Sequence, residues 1–112
     1  MIKHPKEKGR QLERLVAQMI NEAGLGKAIR TPLSGGGGIP GDIMTTLPIF
    51  IECKNQSNWR PIEWWNQLLR ERPIGGKTPV LIMKKSYAGI FAMLRFEDLL
   101  GILDFAQKGG WR

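Results

Sequence analysis

The stretch "GDIMTTLPIFIECKN", residues 41–55, decides how this chain is read. Its β-branched and apolar residues fall into two short runs, "DIMTT" and "PIFIECK", with Leu47-Pro48 between them, which predicts a hairpin or a bent pair of strands. Along the second run side chains alternate, so Phe50, Glu52 and Lys54 share one face while Ile49, Ile51 and Cys53 share the other. If the two strands pair antiparallel, Asp42 falls opposite the carboxyl end of the second. Asp42, Glu52 and Lys54 then meet at one end of a sheet. A strand that had only to be buried would have little use for them, because neighbouring carboxylates repel and are poorly solvated beside apolar side chains.

Upstream, Leu12, Leu15, Val16, Met19 and Ile20 recur at helical spacing from Pro5 to Ala23, with Pro5 suited to a first turn and Gly24 to a stop. "KAIRTPL" reads as a short strand, and the glycine-rich "SGGGGIPG", residues 34–41, as a loop. Downstream, Pro61 opens a second helix, "PIEWWNQLLRER", whose stripe is Ile62, Trp65, Leu68 and Leu69; Pro73 and Gly75-Gly76 end it. "TPVLIMKK" and "AGIFAMLR" are two further strands, "FEDLLGIL" a short final helix, and "QKGGWR" a loose tail. The order α-β-β-β-α-β-β-α predicts an α/β domain, a mixed sheet with helices packed on it.

With 112 residues there is room for one compact domain and one modest core. Seventeen Lys+Arg against ten Asp+Glu give a net charge of +7, so the natural partner is a polyanion or an anionic surface. No run approaches the length needed to span a bilayer, and "MIKHPKEKGRQLER" lacks the apolar core of a signal peptide; the expectation is an intracellular, cytoplasmic protein. A single cysteine, Cys53, and a single histidine, His4, exclude an intrachain disulfide and argue against a zinc site. Any metal must be held mainly by oxygen.

Two crowded carboxylates need a compensating cation, which Lys54 supplies in part and Mg²⁺ would supply further. Oxygen ligands suit Mg²⁺, with Mn²⁺ as substitute, both of which keep several waters and bind substrate phosphate at the remaining positions. The plainer reading is a solvated Glu52–Lys54 surface pair with Asp42 as a turn residue. Against it stands the context: between Ala23 and Ile62 the only acids are Asp42 and Glu52, and both adjoin a glycine-rich loop in a basic chain.

"GD", nine residues and "ECK", after a helix bearing Glu13, resembles the PD-(D/E)XK nuclease superfamily, with its restriction-endonuclease-like sheet. The fuller pattern, "KGRQLER" on the first helix, Arg30 before an "SGG" loop, then "GDI" and "IECK", is similar to archaeal-type Holliday junction resolvases and related small phage nucleases. The resemblance covers about the first two thirds of the chain. It implies that Asp42 and Glu52 bind a metal, that Lys54 serves the nucleophilic water, that Glu13 completes the site and that Gln67 supports it. Arg10, Arg14, Arg30 and Ser34 would face phosphates. The motif departs from the family pattern at two places, since its leading proline is Gly41, with Pro40 one place early, and its middle residue is Cys53.

Gly36, Gly38 and Gly41 spell G-x-G-x-x-G, yet a strand rather than a helix follows, and Asp42 stands where a phosphate-binding loop needs lysine. No nucleotide cofactor is expected. Lys6 and Lys8, with Lys3, form either an arm on the DNA backbone or a soluble terminus. Trp65 reads as packing, Trp59 as a base or sugar contact, and Cys53 as a small core residue.

The reading is a metal-dependent endodeoxyribonuclease that cuts four-way junctions by paired phosphodiester hydrolysis. A nuclease of the same fold acting on ordinary DNA and a catalytically silent DNA-binding protein are the alternatives. Paired cuts call for a homodimer, and the last third of the chain offers apolar residues for its interface.

Overall fold

The computed structural model describes residues 5–31, 42–72 and 75–109, in the order α1 (Pro5–Ala23), β1 (Ala28–Arg30), β2 (Ile43–Thr45), β3 (Ile49–Lys54), α2 (Pro61–Glu71), β4 (Thr78–Lys85), β5 (Gly89–Met93) and α3 (Phe96–Gly109). The glycine-rich loop with Ser34, the lead residues Lys3 and His4, and Pro73 lie outside the described residues. The five strands form one sheet in the order β1-β2-β3-β4-β5, antiparallel throughout except that β3 and β4 run parallel. A parallel pair needs a crossover, and α2 supplies it.

β3 is central, and four of its six residues are buried, as expected of a strand covered on both faces. On one face Ile51 and Cys53 pack with Leu12, Val16 and Ala17 of α1, Ala28 and Ile43. On the other, Phe50 packs with Trp64 and Leu68 of α2 and with Leu81 and Met83 of β4. Each Val, Leu, Ile, Phe or Met among them contributes roughly 1.5–3 kcal/mol by leaving water. Truncating the fully buried Leu68 or Leu81 would cost about 2–5 kcal/mol.

The connections explain the meander. Gly24 takes φ +70° just past α1, a left-handed position that a side chain would resist, and turns the chain toward β1. Asn21 of α1 then pairs with Ala28 like a neighbouring strand: its Nδ2 donates to the Ala28 carbonyl at 2.7 Å and its Oδ1 accepts the Ala28 amide at 2.8 Å. An edge strand of three residues thus gains backbone partners on its outer side.

Helix faces depart from the apolar periodicity. In α1 the buried stripe is Leu12, Glu13, Val16 and Ala17, whereas Leu15 and Met19 are exposed; in α2 Trp64 is buried and Ile62 faces solvent. In each case the arc that meets the sheet is narrower than the apolar face the helix offers. α3 continues to Gly109, past "FEDLLGIL" and into the segment expected as a loose tail, helped by a 2.9 Å pair between Asp104 and Lys108 one turn apart. Trp59 is also corrected: its Nε1 donates to the Lys84 carbonyl at 3.1 Å, and its ring meets Trp64 and Phe91 edge-on at 6.4 and 5.8 Å between centroids. It anchors the β3–α2 loop by packing.

Candidate active site

β2 ends its ladder at Asp42, whose main-chain N–H donates to Ile51 at 3.1 Å and whose carbonyl accepts the Thr31 amide at 2.9 Å. One rung further the side chain takes over, and Asp42 Oδ2 accepts the Cys53 amide at 2.8 Å. The Asp42 carboxylate is therefore built into the end of the sheet, beside Glu52.

Glu52 is 8 % exposed and faces α2. Burial above all, then the charge of Asp42 and a hydrogen bond to it, push its carboxyl up to about 8; Glu71 adds to the effect and Lys54 opposes it. Glu52 therefore holds its proton to higher pH than an ordinary glutamate, beside the Asp42 carboxylate. Lys54, on the same face of β3, donates from Nζ to Gln67 Oε1 at 3.2 Å, and Gln67 Nε2 donates to Glu71 Oε1 at 3.1 Å. The expected trio meets at one sheet end, with Gln67 attached to it.

Glu13 approaches from the opposite face, in the middle of the buried stripe of α1. Its Oε1 accepts from Arg30 Nε at 2.7 Å. Burial, and secondarily Asp42, raise its pKa despite Arg30. The Cys53 thiol, buried on the α1 face, is raised by desolvation first and by Asp42, Glu13 and Glu52 after it, so all three acids act on one point of the strand. Cys53 is a core residue and no nucleophile.

Among the described residues no three His, Cys, Asp or Glu side chains converge tightly enough to hold a metal by themselves. What the site offers is a buried carboxyl, Glu52, beside the half-buried Asp42 carboxyl, whose mutual repulsion a divalent cation would relieve. That donor set fits Mg²⁺ or Mn²⁺, which fill most positions with water and phosphate oxygens.

Of the residues expected at phosphates, Lys6, Arg10 and Arg14 are exposed along α1 and Lys8 is half-buried, its carbonyl accepting from Asn55 at 3.1 Å. Arg30 is committed in part to Glu13, and Ser34 lies outside the described residues. Sequence reasoning missed Glu71. It lies four residues, one helical turn, after Gln67, and that spacing is the signal that could have found it.

A family model described as "Phage putative PDDEXK endonuclease" matches residues 4–108. No curated protein and no solved structure matches the chain.

Proposed function

Because the chain belongs to this phage PDDEXK endonuclease family, we propose that it is a metal-dependent DNA endonuclease specific for branched substrates, a Holliday junction resolvase that makes paired cuts as a homodimer. The observation that carries the catalytic part is the adjacency of half-buried Asp42 and buried Glu52, with Lys54 on the same sheet end. A chain that only bound DNA would gain nothing from acids placed against phosphate.

In this reading Asp42 and Glu52 hold Mg²⁺, or Mn²⁺ in its place, and Glu13, steadied by Arg30, completes the carboxylate set. The bound cation supplies Lewis acidity toward the phosphodiester. Lys54 orients the attacking water and offsets negative charge developing on phosphorus, with its ammonium aimed by Gln67. Lys6, Lys8, Arg10, Arg14, Arg30 and Ser34 grip the DNA backbone. The excess of seven positive charges draws the duplex in and makes binding salt-dependent.

Branch specificity is tested with a labelled four-way junction and a matched linear duplex, each with and without Mg²⁺. Paired cuts on the junction alone support the resolvase. Equal cutting of both substrates reduces the proposal to a general nuclease, and binding without cleavage removes the enzyme altogether.

A further inference from the structure

The last helix has almost no share in the core. α3 contains no buried residue, and Phe96, Leu99, Leu100, Ile102, Leu103 and Phe105 are all exposed, Phe96 by 71 % and Phe105 by 79 %. At the helical period these side chains spread over more than half of the circumference, while Glu97, Asp104 and Lys108 share one narrow flank. Together they expose on the order of several hundred Å², the scale of the largest patch on a monomer and close to the roughly 800 Å² per partner of a standard interface. A helix of 14 residues is also marginal in water without packing of its apolar face.

The charges on α3 select the occupant. In a chain of net charge +7, this helix carries Glu97, Asp98 and Asp104 against Lys108 alone, which disfavours DNA or an anionic membrane on this face. The pattern is instead complementary to itself. Two copies packed antiparallel about a two-fold axis set Leu100 of each against Leu103 of the other near the axis, and bring the acidic first turn of each, with Glu97, to the Lys108 end of the other along the same flank, where Lys108, paired with Asp104 of its own helix, would bridge both acids. The opposed helix dipoles favour this arrangement as well.

We propose that α3 is the homodimerisation helix of this protein, its occupant a second copy of the same helix. The paired-cut reading above is what the dimer would serve, and the inference rests on it only for that purpose. The test is light scattering at micromolar concentration, without DNA, on the full chain. Wild type should be a dimer. Leu100→Asp combined with Leu103→Asp should be monomeric, its dissociation constant raised at least about 100-fold, with the near-ultraviolet circular dichroism of the tryptophan core retained. Glu97→Lys should weaken the dimer, and adding Lys108→Glu should restore it. A monomeric wild type, or a doubly substituted chain that remains dimeric, overturns the proposal. Asp42→Asn should dimerise like wild type although it cannot cleave, whereas a wild-type dimer that fails to cleave would condemn the nuclease reading and leave this one standing.

Discussion

Asp42 Oδ2 accepts the main-chain N–H of Cys53 at 2.8 Å, so a side chain completes the β2–β3 ladder at the point where the carboxylate pair is formed. The structural and chemical roles of Asp42 can therefore be separated. Asn keeps an acceptor for the Cys53 amide but loses the charge, whereas Ala loses both. Asp42→Asn should abolish cleavage, by on the order of 10³-fold or more, while DNA affinity holds or tightens and the melting temperature stays near that of wild type. Asp42→Ala should be equally inactive and also less stable by about 1.5–3 kcal/mol. Gel-based cleavage, binding titration and thermal melts decide it; substantial Mg²⁺-dependent activity in either variant sinks the assignment.

The raised Glu52 carboxyl makes the site pH-dependent. With its carboxyl raised to about 8 in the fold and near 4.5 in the unfolded chain, Glu52 binds an extra proton in the native state between those values. Its contribution to stability is complete below about pH 4.5 and is lost as pH rises through about 8, a change on the order of a few kcal/mol in the metal-free protein. A divalent cation must displace the same proton, so its affinity should rise up to about pH 8. Melts at pH 5.5 and 8 with and without Mn²⁺, for wild type and Glu52→Gln, check both statements. The difference between the two proteins should shrink toward zero when metal is present, and a metal affinity independent of pH would refute the raised Glu52 carboxyl.

Lys54 should be separable from the carboxylates. Lys54→Ala is expected to lose cleavage with metal binding largely kept, since it removes a cation rather than a ligand. Gln67→Ala should lower turnover about tenfold, because it frees the Lys54 ammonium without deleting it. Calorimetric metal titration beside single-turnover cleavage separates these effects; loss of metal binding in Lys54→Ala would make the lysine structural.

Glu71 raises Glu52 through its charge and holds Gln67. Glu71→Gln keeps a hydrogen-bonding group while removing the charge, so the ascending limb of the pH–rate profile should move to lower pH. An unshifted profile would show that Glu71 has no influence on the carboxyl pair.

Backbone contacts predict a steep salt dependence. Neutralising Lys6, Arg10 or Arg14 singly should reduce the slope of log affinity against log salt by about one. Arg30→Ala should in addition lower the melting temperature, because it leaves the buried Glu13 carboxylate without its 2.7 Å partner. Fluorescence anisotropy across a salt series measures each slope, and a flat dependence in wild type would reduce the positive charge to a solubilising role.

The features legible in the amino-acid order are those that depend on local geometry. Alternation along residues 48–54 places Glu52 and Lys54 on one face, and a short turn at Leu47-Pro48 is enough to carry Asp42 back beside them. Element order followed from apolar periods and from Pro and Gly stops for the same reason. The tertiary structure alone decided which arc of each helix meets the sheet. That choice put Glu13 in the middle of a buried stripe, turned Trp64 inward in place of Ile62, made Trp59 a packing residue, and brought Glu71 beside Glu52. It also left α3 uncovered. Periodicity reports that a helix has an apolar face, but the surface that face meets is set by the packing of elements distant in sequence, or by another chain.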